Sequence, residues 1–310
     1  MGRTRIAIFV DGADWHTRRL IAAFARRGAK AVPVSLSACG FGPEGPVVPG
    51  FDGPGFNDGL PDACLVRTIS AGSFEQVTLR LGVLHALAHG GVPVLNNPAS
   101  IERCVDKSAT AFRLAAVGVP TPRTWTVADP VQASSILAAL HAEGRSAVLK
   151  PLFGSQGKGL RRLDPGMALP DPDEVAGVYH LQEYVGAADG GWFDWRVFVV
   201  DGRPLAAMVR QGDHWITNVK QGARCHPASP GGVLGDLAVA AAAAVGTDYA
   251  GVDVIRAPDG RFLVLEVNSM PAWRGLQAVT SADVAQALAD LVLARLAAAS
   301  PASADARRAG

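Results

Sequence analysis

The sequence has almost no net charge: 29 lysines and arginines stand against 28 aspartates and glutamates, leaving +1 at neutral pH. So balanced a surface sustains no positive field, which argues against nucleic acid as a partner. Long apolar runs are missing as well. No continuous apolar run approaches the roughly 18 residues that a membrane span requires, the alanine-rich stretch at 236–245 being far too short. The four cysteines, Cys39, Cys64, Cys104 and Cys225, show no Cys-x-x-Cys spacing, so neither zinc nor a disulfide framework is expected. A strand-like run, Arg5–Val10, begins almost at once and leaves no room for a signal peptide, so the expectation is a cytoplasmic protein. The seven histidines form no His-Glu-x-x-His motif, and no Ser-His-Asp or Cys-His arrangement is legible. No Gly-x-Gly-x-x-Gly follows the first strand, and Asp11-Gly12-Ala13-Asp14 would repel a pyrophosphate, which disfavours a dinucleotide site. There is no internal repeat.

What is present is a chain of 310 residues, 49% hydrophobic, long enough for two or three subdomains. Ile6–Val10, a helical run at 16–28 stopped by Gly28, and Ala31–Leu36 make a β-α-β pattern that predicts a parallel sheet. Residues 39–62 are crowded with Gly, Pro, Asp and Asn and read as an excursion loop; a buried strand at 62–70, a helix at 74–89 and a short strand at 92–95 follow. In such an open α/β sheet ligands sit beyond the carboxyl ends of strands. Asp11, Arg67 and Asn96 fall there, as substrate contacts or simply as turn caps. The small, polar tail at 301–310 is expected to fray.

Ser100 is a candidate cap for a helix over 101–118. Lys107 lies inside it and on spacing alone reads as a solvated lysine. Ala147–Lys150 is a strand followed at once by 152–160, where Gly154, Gly157 and Gly159 alternate with Ser155, Gln156 and Lys158. Glycines at that density let backbone N–H groups turn toward an anion, and the lysines neutralise it. The spacing is not Gly-x-x-x-x-Gly-Lys-[Ser/Thr], and a strand rather than a helix follows, so a flap folding over phosphates fits better than a Walker loop.

Residues 180–185 read as a strand able to offer backbone groups to an adenine edge. Asp201-Gly202 turns a hairpin in which Asp194 and Arg196 share one face, and Arg210 ends its second strand, with Thr217 and Asn218 beyond. A second hairpin, 251–271, turns at Asp259-Gly260. A two-residue turn there places Asp253 opposite Glu266, with Asn268 on the same face. Two carboxylates and an amide suit Mg²⁺ rather than zinc, although the same pattern also describes a hairpin with a polar face.

Taken together these tracts resemble the ATP-grasp ligases and, within them, the RimK-type α-L-glutamate ligases. GVPVLNNPASIERCVDKSAT, VLKPLFGSQGKGL, LQEYV and GVDVIR…LEVNSMP carry the likeness, from about Thr68 to Leu276. It implies an α/β fold: an open parallel α/β domain over 1–98, a lid subdomain over 99–185, and over 186–300 an α+β part built on an antiparallel sheet. It implies that Lys107 and Lys150 contact the phosphates of ATP, that 154–159 is the flap, that Gln182, Glu183, Tyr184 and Val185 form the adenine hinge, and that Asp194 and Thr217 lie near the nucleotide. Asp253, Glu266 and Asn268 then bind Mg²⁺ or Mn²⁺, as two ions, while Arg210, Asn218 and Arg196 serve catalysis. The implied reaction joins a carboxylate, activated as an acyl-phosphate, to the amine of L-glutamate; a silent ATP-binding module and a small-molecule kinase are the competing classes. A homo-oligomer is compatible with the likeness. The ribosomal-protein branch carries Phe-Arg-Ser-Asn where this chain has Trp215-Ile216-Thr217-Asn218, which favours a pterin or deazaflavin coenzyme acceptor over a protein.

Overall fold

In the computed structural model, described over residues 3–51, 59–154, 157–186 and 191–299, three sheets follow one another along the chain. The first is parallel, in the order β2-β1-β5-β6, from β1 (Arg5–Phe9), β2 (Lys30–Val34), β5 (Ala63–Val66) and β6 (Val94–Leu95). Burial of residues 6–9 in β1 and of all of β5 explains the unbroken apolar runs in the sequence. Helices α1 (Trp15–Arg26) and α2 (Phe74–His89) supply the crossovers. Asp14 caps the first through Thr17 N, and Ser73 with Gln76 forms a capping box on the second. The expected excursion at 39–62 instead holds a small hairpin, β3 (Gly40–Gly42) paired with β4 (Gly45–Val47). Three-residue strands leave no readable alternation, and residues 52–58 lie outside the described residues.

The single helix expected over 101–118 is two. Helix α3 (Pro98–Val105) is capped by Asn97, whose side chain accepts from Ala99 N, and α4 (Lys107–Ala116) by Asp106, which accepts from Ser108 N and Ala109 N. Ser100 is not a cap; its hydroxyl donates to the Asn97 carbonyl. The break places Lys107 at the first turn of a new helix rather than mid-helix.

The second sheet, β7-β10-β8-β9, is antiparallel: β7 (Thr124–Val127), β8 (Ala147–Lys150), β9 (Arg161–Leu163) and β10 (Tyr179–Glu183), backed by α5 (Pro130–Ala142). The third runs β13-β12-β11-β14-β15, from β11 (Trp192–Val200), β12 (Arg203–Gly212), β13 (Arg224–Ala228), β14 (Tyr249–Arg256) and β15 (Phe262–Asn268). Helix α6 (Gly232–Val245) covers one face through Leu234, Ala238, Ala241 and Val245. After the short α7 (Arg274–Gln277), α8 (Val284–Ala299) returns to the first sheet, where Leu288 and Val292 share a core with Ile6, Leu20, Phe24, Phe198 and Trp273. Among the described residues no helix is long and apolar enough to cross a membrane.

Asn96 is neither a substrate contact nor a turn cap. Wholly buried, it donates to the carbonyls of Tyr249 (2.8 Å) and Ser269 (2.5 Å) and accepts from the N–H groups of Asp248 (2.7 Å) and Tyr249 (3.0 Å). All four hydrogen-bonding positions of the amide are used, which ties the edge of the parallel sheet to both strands of the 251–271 hairpin.

The turn of that hairpin departs from expectation. Ala257 N donates to Arg261 O and Gly260 N to Ala257 O, so Pro258-Asp259-Gly260 is a three-residue loop, with Gly260 at φ +86°. Val254 accordingly pairs with Val264. A bulge at Leu265 then restores the alignment, and Asp253 stands opposite Glu266 after all.

Candidate active site

A cleft opens between the second and third sheets. Most of the expected residues line it: Lys107, Lys150, Gly154, Gly157 and Lys158; Gln182, Glu183, Tyr184 and Val185; Asp194, Arg210, Thr217 and Asn218; and Asp253 with Glu266. Gly159, Arg196 and Asn268 are not among the lining residues, and Ser155 and Gln156 lie outside the described residues. Sequence reasoning missed the apolar wall formed by Val148, Leu160, Ile255 and Leu265, and gave Trp215 and Ile216 no site role.

The floor is a row of alternating charges. Cross-strand register sets Asp194 beside Arg210 and Arg196 beside Asp253. Arg210 donates to Asp194 through Nε (2.7 Å) and again through Nη2, and reaches Asp253 Oδ2 at 3.1 Å. Arg196 holds Asp253 through Nε and, at 2.8 Å, through Nη2. None of the four is more than 8% exposed, so each charge depends on its neighbours rather than on water. Burial alone would raise Asp253, but Arg196 and Arg210 outweigh it and hold the carboxyl below its ordinary value. Burial likewise works against the Arg210 cation, yet Asp253 and Asp194 raise it well above the usual arginine range.

Above this floor, Lys150 Nζ donates to Gln182 Oε1 at 2.7 Å, and Gln182 Nε2 in turn donates to Thr124 Oγ1 at 3.1 Å. The Gln182 side chain thus orients a lysine. The Glu183 carboxylate is taken by Arg123 (2.7 Å) and Arg145, and Tyr184 lies beneath the Arg162 guanidinium, 4.1 Å from ring centre to carbon. Lys107 donates to the carbonyls of Leu152 (3.3 Å) and Gly154 (2.9 Å) at the base of the flap. Burial lowers both lysines, Lys150 to about 8 with Glu266 only partly opposing.

This yields a pH signature. A polyphosphate favours the Lys150 ammonium, so binding at pH 8 takes up a proton that the free side chain has half lost. ATP binding measured calorimetrically in buffers of different ionisation enthalpy should show uptake of about 0.5 proton at pH 8 and almost none at pH 6.5. Affinity should fall as pH rises past 8. Uptake unchanged in Lys150→Gln would refute the assignment.

The oxygen donors fit a hard cation. Among the described residues Glu266 makes no hydrogen bond or ion pair of its own, and Asn268 donates only through Nδ2, to Gly251 O at 3.2 Å, leaving Oδ1 free. The Asp253 oxygens already accept from arginine but keep further lone pairs. No group of three His, Cys, Asp or Glu capable of holding a metal gathers among the described residues. Two carboxylates and an amide therefore leave part of the shell to phosphate oxygens and water, as Mg²⁺ prefers.

The RimK-like ATP-grasp domain family matches residues 104–292. A tetrahydromethanopterin:alpha-L-glutamate ligase of Methanococcus maripaludis is 37% identical over 208 residues, 65% of this chain and 70% of its own. One from Methanocaldococcus jannaschii is 34% identical over 240 residues, 75% and 79% of the two chains. Among solved structures, the ATP-grasp ligase PsnB complexed with minimal precursor aligns with a TM-score of 0.73 and 22% identity, over 95% of this chain and 100% of that one, a likeness of fold alone.

Proposed function

The chain belongs to the RimK-like ATP-grasp family of ATP-dependent carbon–nitrogen ligases, and from that premise we propose that it adds L-glutamate to a coenzyme or other small carboxylate acceptor in the cytoplasm. The observation that carries the reading is the convergence, in one cleft, of two lysines, Glu266, which has no hydrogen bond or ion pair among the described residues, and the buried Asp194, Arg210 and Asp253, the last of them also held by Arg196. On this reading 99–185 is the lid. Lys107 and Lys150 hold the phosphates of ATP, and the tract around Tyr184 and Val185 receives the base. Asp253, Glu266 and Asn268 hold one or two Mg²⁺ ions, which when bound neutralise charge developing on the transferred phosphoryl group. The acceptor carboxylate attacks the γ-phosphorus and ADP leaves. The glutamate amine then attacks the acyl-phosphate, forming the amide and releasing phosphate. A carboxylate approaching a triphosphate meets repulsion, and Arg210, held charged by its two aspartates, is placed to relieve it. The relatives that act on tetrahydromethanopterin favour a pterin-like coenzyme, as does the apolar Trp215-Ile216 pair beside the flap.

Closure of the flap depends on Gly157. A Cβ there would lie 2.6 Å from Asn218 Oδ1 and 2.8 Å from Ile216 Cγ2, at φ +71°. Gly157→Ala should therefore lower kcat/KM for ATP about tenfold at constant thermal stability, the left-handed backbone and the lost approach together costing about 1–3 kcal/mol in the closed state. An unchanged kcat/KM would remove the flap from the mechanism.

The function itself is tested by incubating the protein with ATP, Mg²⁺, L-glutamate and a cell extract, then searching by mass spectrometry for species that gain glutamyl increments. Phosphate release that needs both acceptor and amino acid is the expected outcome. ATP binding without turnover across a broad acceptor panel would instead identify a binding module, and a stable phosphorylated product a kinase.

A further inference from the structure

Arg67 follows β5 at its carboxyl end and is only 5% exposed, yet it makes no ion pair among the described residues, and its Nε and Nη1 find no acceptor. Tyr249 is a hydrogen-bond partner of the side chain, while its own hydroxyl donates to the Val66 carbonyl at 2.6 Å. The guanidinium carbon sits 4.4 Å from the centre of the Trp273 ring, and the indole Nε1 of that wholly buried tryptophan also lacks an acceptor. Two stacked side chains thus bury three donor nitrogens that nothing among the described residues answers, where buried donors are almost always paired.

The neighbouring carboxylates are already engaged. Asp14 accepts from Thr17 N and Thr17 Oγ1, each at 2.8 Å, and from His16 Nδ1 at 2.8 Å. His16 Nε2 accepts from Trp273 N at 3.2 Å, which places the imidazole proton on Nδ1 and leaves the ring no donor for anything else. Asp11 is occupied by Ser70 (2.5 Å), Ser35 (3.1 Å) and Thr68 (3.4 Å). The described chain supplies Arg67 with no anion, and the N–H edge of a guanidinium matches the planar, two-oxygen geometry of a carboxylate.

We propose that Arg67 and Trp273 form a subsite for a substrate carboxylate that is not consumed in the reaction. The inference rests on the ligase reading above and adds where one substrate is gripped. Arg67 lies where open parallel sheets present ligands. Trp273 follows Asn268 by five residues and is therefore within about 18 Å of it along the chain. One end of the substrate is thus held at the first sheet while the other reaches the phosphates. The carboxylate belongs either to a diacid acceptor or to L-glutamate, whose carboxylates both survive attack by its amine.

The test titrates the full chain with L-glutamate, glutarate and inorganic phosphate, following tryptophan fluorescence, with ATP affinity and thermal stability measured in parallel. Saturable quenching by L-glutamate alone assigns the subsite to the amino acid, and quenching by glutarate as well assigns it to a diacid acceptor. In Arg67→Gln the carboxylate affinity should fall at least tenfold with ATP affinity unchanged and thermal stability equal or raised, because an unpaired buried charge has been removed. Arg67→Lys should recover part of the affinity. Should Arg67→Gln fail to fold, Trp273→Phe, which removes a single orphaned donor and is followed by calorimetry because the reporting indole is gone, carries the test with an expected loss of about threefold. Equal carboxylate affinity in wild type and variants overturns the proposal, as does phosphate binding as tightly as either carboxylate. ADP formation by the wild-type protein is read separately, so failure of the ligase reading and failure of this subsite are distinguishable.

Discussion

Replacing Glu266 with glutamine should lower kcat about 10³-fold while shifting Tm by no more than about 2 °C. The two halves of that expectation have one cause. Because Glu266 makes no hydrogen bond or ion pair among the described residues, the native fold loses no specific partner when its charge is removed. What is lost is a free carboxylate facing two lysines across the cleft, the arrangement of a group waiting for a cation. A second effect follows from the same geometry. Glu266 is the largest influence holding Lys150 up against burial, so in Glu266→Gln the ATP-linked proton uptake should move to lower pH. Lys150→Gln, by contrast, should chiefly weaken ATP binding. Steady-state phosphate release and calorimetry at pH 7 separate the variants, and near-normal turnover in Glu266→Gln would sink the metal assignment.

The facing of Asp253 and Glu266 was legible in the sequence, but through two offsetting irregularities. Asp259-Gly260 signalled a two-residue turn, whereas the loop takes in Pro258 as well. Left alone, that extra residue would have slid the strands by one, and the bulge at Leu265 takes the slip back. Alternation in a buried strand carries no mark of a bulge, because Val264, Leu265 and Val267 are all apolar. Helix α2 was readable to its ends, since Ser73 and Gln76 form a local cap. Asp106 was not, because an aspartate between apolar residues reads equally as an exposed helical position and as a new cap. Long-range charge pairing left no local trace at all. Glu183 looked like a hinge residue, yet Arg123 and Arg145 claim its side chain. That Asp194 and Arg196 share a face could be read from their spacing. That each pairs across to Arg210 and Asp253 depends on β11 lying between β12 and β14, and only the β11–β12 neighbourhood is announced by a turn.

Arg210→Met should destabilise the protein by about 3–5 kcal/mol, the range for removing one partner of a buried ion pair, because Asp194 is left without a cation and Asp253 with Arg196 alone. Stability alone cannot separate a strut from a catalytic group, but the double variant Arg210→Met/Asp194→Leu does. Replacing both partners with apolar groups removes the stranded charge, so most of the lost stability should return. Turnover should stay about 10³-fold down if Arg210 is, as proposed, the cation that meets the acceptor carboxylate. Recovery of turnover along with stability would make Arg210 purely structural. The pH dependence gives an independent check. In the intact protein Asp253 is held below its ordinary value, so its contribution is complete above the unfolded value near 3.8 and is lost only as pH falls through the lower native one. Asp194 carries the opposite sign: burial already holds its carboxyl above the ordinary value despite Arg210, and without that cation it rises further, so the native state of the variant binds more protons than the unfolded chain and acidification stabilises it. The deficit of Arg210→Met measured by denaturant unfolding should therefore shrink between pH 7 and pH 5, and a deficit constant over that range would mean that Asp194 finds another cation when Arg210 is gone.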